Sequence, residues 1–252
     1  MTGPAEPVPP EGDEERRYRA VLRLEVRQPA AQQVLLAHLD DPSWRVRTAA
    51  AERLAQGEPA EIVPFLIAAL VAAGTAGGRN GAAASLVQIG APAVPALVAA
   101  LAHQDRELRA AAVDTLGQLG DRRAVASLAG RLRDDDANLR AAAAEALGKL
   151  GGAEAVAALE RAIASPDSTL RHAAAGALAH LRAPLPAGML RELARDPTLR
   201  RAALRLAGAS DDPAALRILT AGLAETSRTL RHAALAGLGH QRLRREAPPR
   251  VA

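Results

Sequence analysis

The stretch LRHAAAGALAH, residues 170–180, recurs sixty positions later as LRHAALAGLGH, residues 230–240. The arginine of this stretch belongs to a longer series that runs through the chain at intervals of 29 to 32 residues. Each arginine of the series is followed by alanine three positions later, and all but one by leucine seven positions later. The chain is therefore built from an internal repeat. Its arginines are Arg17, Arg47, Arg79, Arg109, Arg140, Arg171, Arg200 and Arg231.

Each arginine of the series stands four positions after a residue suited to cap a helix, such as Asp105 or Asp136. This spacing predicts a helix, here called helix B, that begins just after the cap. A second amphipathic segment, for example IVPFLIAAL at 62–70, precedes most caps and predicts a helix A. Seven helix pairs fit between residues 29 and 241, after an unpaired B-like helix from Asp13 to Leu24. Stacked pairs of this kind predict an all-α solenoid with an N-terminal capping helix.

The composition agrees with closely stacked helices. The chain has 252 residues, of which 49% are hydrophobic, and only Tyr18, Trp44 and Phe65 are aromatic, so its core must consist of alanine, leucine and valine. The net charge of +4 with interleaved acids gives no long field of one sign. Cysteine is absent, and no 18-residue apolar stretch has a plausible spanning pattern. We expect a cytoplasmic protein without a membrane contact.

The domain boundaries follow from the repeat. We expect a disordered tail over residues 1–12, the solenoid over 13–242 and a basic, proline-containing tail over 243–252.

Three segments carry a resemblance to a known family: DDPSWRVRTAAAERL (40–54), DRELRAAAVDTLGQLG (105–120) and DDDANLRAAAAEALGKLG (134–151). They resemble HEAT repeats of the short variety found in phycobilisome lyase subunits. The resemblance implies a polar ladder in which the helix-B arginine meets an acid near the turn between helices A and B. Such an acid occurs six residues before the arginine in only some repeats, and the cap aspartates are the alternative partners.

Positions +1, +5 and +9 after each arginine remain free of the apolar stripe and lie along one face of helix B. In the family that this chain resembles, this face lines the concave groove of the solenoid. Its first four repeats are polar to acidic, and its last three carry four histidines and two arginines. The candidate partner-binding residues are Glu52, Asp114, Glu145, His172, His180, Arg201, Arg205, His232 and His240.

The basic half of this face favours an anionic ligand over a metal, and a merely solvated polar face is the alternative interpretation. Two histidines eight residues apart on one helix are separated by about 12 Å, too far to share a zinc ion. We therefore expect neither a metal nor another cofactor, and an acidic segment of a protein as the partner. Since an ordinary histidine gains charge near neutral pH, affinity for that segment should rise on mild acidification and fall with salt.

Two local features have competing interpretations. Trp44, in the first turn of a helix, is either an exposed contact residue or packed on the preceding helix, and the packed interpretation is favoured. Tyr18 is the better candidate for an exposed aromatic. Glycines at 74, 77, 78 and 81 replace the acid and alanines of other repeats, which predicts a soft joint in that repeat.

No assembled catalytic motif is present, so a non-enzymatic scaffold for a protein partner is the favoured function. Nucleic-acid binding, as in HEAT-like DNA glycosylases, is an alternative, although all three aromatics lie before residue 66. An accessory role resembling that of bilin lyase subunits is a further alternative, which rests on the family resemblance alone.

Overall fold

The computed structural model describes residues 12–72 and 74–246. Its contacts divide the chain into two compact units, Met1–Leu119 and Gly120–Ala252. The described residues of both units are helical or in turns, which confirms the all-α prediction. The expected N-terminal tail lies outside the described residues except for Gly12. At the other end the last helix continues to Glu246. The boundary after residue 242 stays a prediction, since residues 247–252 of the expected tail lie outside the described chain.

The first unit contains the unpaired helix α1 (Asp13–Arg23) followed by three pairs. Each pair consists of a helix A and a helix B joined by a short turn, and the B helices α1, α3, α5 and α7 pack successively on one another. The paired helices are α2 (Pro29–Ala37), α3 (Trp44–Leu54), α4 (Pro59–Ala72), α5 (Ala76–Ile89), α6 (Val94–Ala100) and α7 (Arg106–Leu119).

The second unit contains four further pairs, in which the B helices α9, α11, α13 and α15 again pack in succession. Across the described residues this gives the seven pairs and one preceding helix that the repeat predicts. The helices are α8 (Val125–Arg131), α9 (Ala137–Leu150), α10 (Ala153–Ile163), α11 (Ser168–Leu181), α12 (Ala187–Arg195), α13 (Arg200–Ala207), α14 (Pro213–Leu223) and α15 (Arg228–Glu246).

Side-chain caps begin several of the B helices as the repeat predicts. Asp136 accepts hydrogen bonds from the amides of Asn138 and Leu139, and Asp167 does the same for Thr169 and Leu170. Each carboxylate thereby satisfies amides that have no partner within the first turn.

Three of the predicted caps act differently. Asp13 already lies inside α1, behind Gly12. The hydroxyl of Ser43 donates to Glu14 instead of accepting from its own helix. Asp196 binds the amide of Thr198, and α13 begins only at Arg200.

The core consists of leucine, alanine, valine and isoleucine, with a leucine at the centre of most helices. Burying one leucine side chain contributes about 1.5–3 kcal/mol. Small residues let the helices approach: a Cβ on Gly148 of α9 would lie 2.7 Å from the Cβ of Ala177 on α11. A Cβ on Gly208 would lie 2.7 Å from the Cα of Gly237 on α15. The helices can therefore approach this closely only because the residues between them are small.

Several of the repeated arginines form the ladder that the resemblance implies. In the first unit, Arg17 donates to both oxygens of Asp41, at 2.8 and 3.2 Å. In the second unit, the acid that each arginine of the ladder meets belongs to the following repeat. The pairs there are Arg140 with Asp167, Arg171 with Asp196, and Arg200 with Glu225. Asp167 caps α11 and Asp196 stands at a predicted cap position, so these aspartates substitute for the missing acids.

The repeated arginines also bind their own turn. Arg47 donates to the carbonyls of Asp41 and Pro42, and Arg140 donates to those of Asp134 and Asp135. These carbonyls lie six and five positions before each arginine. The arginine thus ties the turn between helices A and B to its own helix, which explains why it recurs regardless of context.

The glycine-rich repeat of the first unit has packing reasons for its glycines. A Cβ on Gly77 would lie 2.7 Å from Nε of Arg47. Asp40 accepts from the amide of Gly74 and from the amide and hydroxyl of Thr75. Because this turn has no acid of its own, the carboxylate that binds its amides comes from the preceding repeat.

Trp44 does not pack on the preceding helix, so the favoured interpretation of its side chain is wrong. The residue is 70% exposed at the first turn of α3. Tyr18 is half-buried, and the guanidinium carbon of Arg45 lies 3.8 Å from the centre of its ring. The arginine beside Trp44, rather than the tryptophan itself, therefore contacts Tyr18 of α1.

Within the described residues, no single helix is both long and apolar enough to cross a bilayer. Helices α5 and α6 pass this length and composition test only when taken together with the break between them, where the chain bends by 113°.

Candidate binding face

The predicted outward positions of helix B lie at the surface of each unit. In the second unit, Glu145, His172, His180, Arg201, Arg205 and His232 are exposed and His240 is half-buried. In the first unit, Glu52 and Asp114 are exposed. Ala209 is an exception, since this predicted outward residue is only 2% exposed. It lies beyond the end of α13 at Ala207, where helical periodicity no longer sets the direction of a side chain.

A first depression, of about 600 Å³, lies between α9 and α11 in the second unit. Its edge carries Glu145 and Lys149 on α9 and His172 and His180 on α11. The floor is made by small residues, which are Ala141, Gly148, Ala173, Gly176 and Ala177. Acidic and basic groups thus face each other across an apolar floor. The Nδ1–H of His172 donates to the carbonyl of Ser168, one turn earlier on the same helix.

A second depression, of about 460 Å³, lies between α13 and α15. It brings together Arg201 and Arg205 on α13 with His232 on α15, as the common face of the repeat predicts. It also contains Arg228, which the sequence analysis missed because this residue lies three positions before the repeated arginine and outside the predicted face. The only sequence signal for it is its spacing of four residues from His232. Among the described residues that line this depression, none is acidic.

Here we name this group of four cationic residues, Arg201, Arg205, Arg228 and His232, the cationic cluster. Its three guanidiniums are exposed and form no hydrogen bond or ion pair with the described residues. The arginines of the ladder differ in this respect, because each meets a carboxylate. The guanidinium of Arg140 lowers the pKa of Asp167 below its ordinary value, against a smaller opposing effect of burial. In the cationic cluster the charge has no such counterpart.

His240 is not part of either depression. Arg182, the C-cap of α11, donates from a guanidinium nitrogen to Nδ1 of His240 at 3.2 Å. Arg182 adopts a left-handed backbone conformation with a φ of 53°, which directs the chain away from the helix. No pattern in the sequence indicates this contact, since it joins residues 58 positions apart.

The candidate residues of the first unit are not brought together. Glu52 lies on α3 and Asp114 on α7, and α5 packs between these helices. The depression between α3 and α5 measures about 270 Å³ and is lined instead by Trp44, Thr48, Asn80 and Gln88, together with Arg47 and small residues. This unit therefore presents amide and hydroxyl groups beside an exposed aromatic ring.

The described residues contain no group of three or more histidine, cysteine, aspartate or glutamate side chains that could hold a metal ion.

The chain matches the family of HEAT repeats over four overlapping ranges, residues 33–113, 63–145, 94–179 and 131–198. Among solved structures, YibA from Escherichia coli is 15% identical, with 92% of this chain and 93% of that chain covered and a TM-score of 0.54. This likeness concerns the fold alone. A comparison with curated proteins found no match.

Two other solved structures match with lower TM-scores. Human deoxyhypusine hydroxylase in complex with glycerol is 23% identical over 94% of this chain and 93% of that chain, with a TM-score of 0.40. The complex of CpcE and CpcF of phycocyanin lyase from Nostoc is 23% identical over 70% of this chain and 97% of that chain, with a TM-score of 0.44.

Proposed function

Because the chain belongs to the HEAT-repeat family, we propose that it is a non-catalytic scaffold that binds an acidic segment of a partner protein. The binding surface is the helix-B face of the second unit, defined by the exposed residues of α9, α11, α13 and α15. The observation that carries the proposal is the cationic cluster, whose guanidiniums have no partner among the described residues.

Three unpaired arginines beside a histidine repel one another, which favours an anionic ligand. Two repeated arginines of this unit, Arg140 and Arg171, each meet an acid, whereas the cluster places three arginines around one depression without one. A carboxylate-rich segment supplies the missing counter-charge, and guanidinium forks bind carboxylates with two hydrogen bonds.

The first depression extends the same face toward the N-terminal side of the unit. Its apolar floor can receive a small or aliphatic side chain of the partner. Glu145 and Lys149 on the edge favour oppositely charged partner residues beside that side chain. An acidic segment with one apolar residue therefore fits this face better than a uniformly charged chain.

We propose no reaction for this face. His172 has as its hydrogen-bond partner a carbonyl of its own helix, and nucleophilic or acid–base catalysis needs a second positioned group beside the histidine. The arginines of the cluster, Arg201, Arg205 and Arg228, are suited to hold charge rather than to transfer a proton, because guanidiniums stay protonated at physiological pH.

The test uses a fluorescein-labelled peptide of eight glutamates, with a peptide of eight glutamines as the neutral probe and fluorescence anisotropy as the readout. We expect the glutamate peptide to bind the full chain and the glutamine peptide not to bind. The double variant Arg201→Ala/Arg205→Ala should weaken binding by about tenfold or more, given the strength of charged hydrogen bonds.

The matched control is Arg161→Ala/Arg217→Ala, which removes the same charge from exposed arginines on α10 and α14. If both double variants weaken binding equally, net charge alone explains the interaction and the proposed face is wrong. If a single-stranded oligonucleotide binds more tightly than the glutamate peptide, with the same dependence on Arg201 and Arg205, the nucleic-acid alternative replaces the scaffold.

A further inference from the structure

The four residues of the cationic cluster form two pairs on neighbouring helices. Arg201 and Arg205 are four positions apart on α13, and Arg228 and His232 are four positions apart on α15. Side chains at this spacing on a helix have Cβ atoms about 6 Å apart. The close approach of Gly208 to Gly237 holds α13 against α15. The cationic groups therefore surround a single depression from two sides.

The cationic cluster places three arginines around one depression, unlike the ladder of the second unit. There one carboxylate meets one guanidinium of the preceding repeat, as Nε and one terminal nitrogen of Arg140 meet a single oxygen of Asp167 at 2.9 and 2.6 Å. A lone carboxylate in the second depression would neutralise one of three guanidiniums. A phosphate monoester carries a charge of about −1.5 to −2 at pH 7 and three acceptor oxygens.

We propose that the cationic cluster is a binding site for a phosphorylated side chain within the partner's acidic segment. This inference rests on the proposed function and specifies the ligand of the same face. Arg201, Arg205 and Arg228 each donate to a different phosphoryl oxygen, and His232 adds a further donor. Ala233 and Ala236 leave room for the group between the two helices.

The rest of the face favours a protein segment over a nucleic acid as the carrier of the phosphate. Glu145 presents an exposed carboxylate on α9, two B helices away from the cluster on the same face. It would repel a nucleic-acid backbone, which carries a charge at every nucleotide, whereas an acidic protein segment can place a neutral or basic residue there. Nucleic acids also present diesters with one charge each, which match a cluster of three arginines less well than a monoester does.

The experiment compares three labelled ten-residue peptides of glycine and alanine that carry phosphoserine, glutamate or serine at one central position. Anisotropy is measured with the full chain. The phosphoserine peptide should bind about tenfold or more tightly than the glutamate peptide. The serine peptide should show no binding, and inorganic phosphate should compete with the phosphoserine peptide.

Two variants locate the interaction. Arg228→Ala should reduce binding of the phosphoserine peptide by about tenfold, whereas Arg217→Ala, on α14, should leave it unchanged. Far-ultraviolet circular dichroism of each variant verifies that the helices are intact. Arg228→Lys should restore only part of the affinity, because lysine lacks the forked donors of arginine.

Several results would overturn the inference. They are equal affinity for the phosphoserine and glutamate peptides, binding that is indifferent to Arg228→Ala, and tighter binding of a single-stranded oligonucleotide with the same arginine dependence. If the octaglutamate peptide still binds through Arg201 and Arg205 while phosphate adds nothing, this inference fails and the proposed scaffold function stands. If neither kind of peptide binds, both fail.

Discussion

The junction of α3 with α5 in the first unit and that of α9 with α11 in the second use the same repeat but different contacts. At α9–α11 the helices meet through Gly148 and Ala177, with backbone carbon atoms in contact range. At α3–α5 the side chain of Arg47 lies over Gly77, and Asp40 binds the turn that leads into α5. The register of the repeat thus determines where the helices lie, while the chemistry of each junction is set by residues that vary between repeats.

The surfaces beside these two junctions differ in the same way. The depression next to α3 and α5 carries Trp44, Asn80 and Gln88, and the one next to α9 and α11 carries Glu145, His172 and His180. Both sets stand at or near the outward positions of helix B. The comparison teaches that a position in the repeat predicts exposure, whereas the residue placed there determines which ligand a unit can bind.

The largest expected effect concerns the tight junction. Gly148→Ala should destabilise the protein by about 1–3 kcal/mol, because its new Cβ would lie 3.0 Å from the Cα of Ala177 and backbone cannot easily move. Gly77→Ala in the first unit should cost less, since the flexible side chain of Arg47 can shift. Urea unfolding followed by circular dichroism measures both.

Gly176→Ala, with open space around its Cβ, should be stabilising, and a loss of stability there would contradict this account of the glycines.

The ladder of the first unit gives the next effect. Asp41→Ala should destabilise the protein by about 1–3 kcal/mol, because the Asp41 side chain is only 4% exposed and accepts from Arg17. Burial raises the pKa of Asp41, but the hydrogen bonds from Arg17 and the amide of Ser43 outweigh it, so its pKa lies below the ordinary value of 3.8.

Because this pKa is lowered in the folded state, the stabilisation from Asp41 is present above pH 3.8 and is lost as the pH falls through the lowered value. The midpoint of unfolding, measured from pH 7 to pH 2, should fall less steeply at the acid end in Asp41→Asn than in the wild type. If the midpoint of unfolding falls equally steeply at the acid end in the two proteins, the pair of Arg17 and Asp41 does not carry this pH dependence.

A smaller effect separates the glycine-rich repeat from the others. We expect amides of residues 60–90 to exchange faster with solvent than those of residues 105–180, since interior glycines cost up to about 1 kcal/mol each. Asp40→Ala should speed exchange further at Gly74 and Thr75, whose amides it binds. Hydrogen exchange with mass spectrometry measures both. Equal protection in the two ranges would contradict the prediction that the glycine-rich repeat is a soft joint.

The smallest effect is expected at Trp44, the single tryptophan of the chain. Because its side chain is largely exposed, Trp44→Ala should change stability by less than about 0.5 kcal/mol. The wild-type fluorescence should be readily quenched by iodide. Poor quenching, or a large loss of stability in the variant, would mean that the ring is packed after all.

The sequence predicted the helices well, because they depend on a repeated pattern. The unpaired first helix and the seven helix pairs follow from the caps, arginines and alanines that recur in every repeat. Exposure of the outward residues followed from the same register, as at Glu52 and His232.

The sequence could not predict contacts that depend on one particular side chain. Trp44 is exposed because Arg45, its neighbour, covers Tyr18, and no periodicity specifies which of two adjacent residues turns inward. Arg228 joins the cationic cluster from outside the predicted face, and His240 leaves the histidine series to accept from Arg182. Long side chains reach several positions, so their partners are set by local geometry rather than by register.

The central claim is that the cationic face of the second unit, rather than the amide-lined face of the first, binds the acidic partner segment. Hydrogen exchange of the full chain, with and without saturating octaglutamate peptide, tests it most directly. The account predicts slower exchange in α13 and the first turns of α15, and unchanged exchange in α3 and α5. Slower exchange in α3 and α5, with none in α13 and α15, would contradict it.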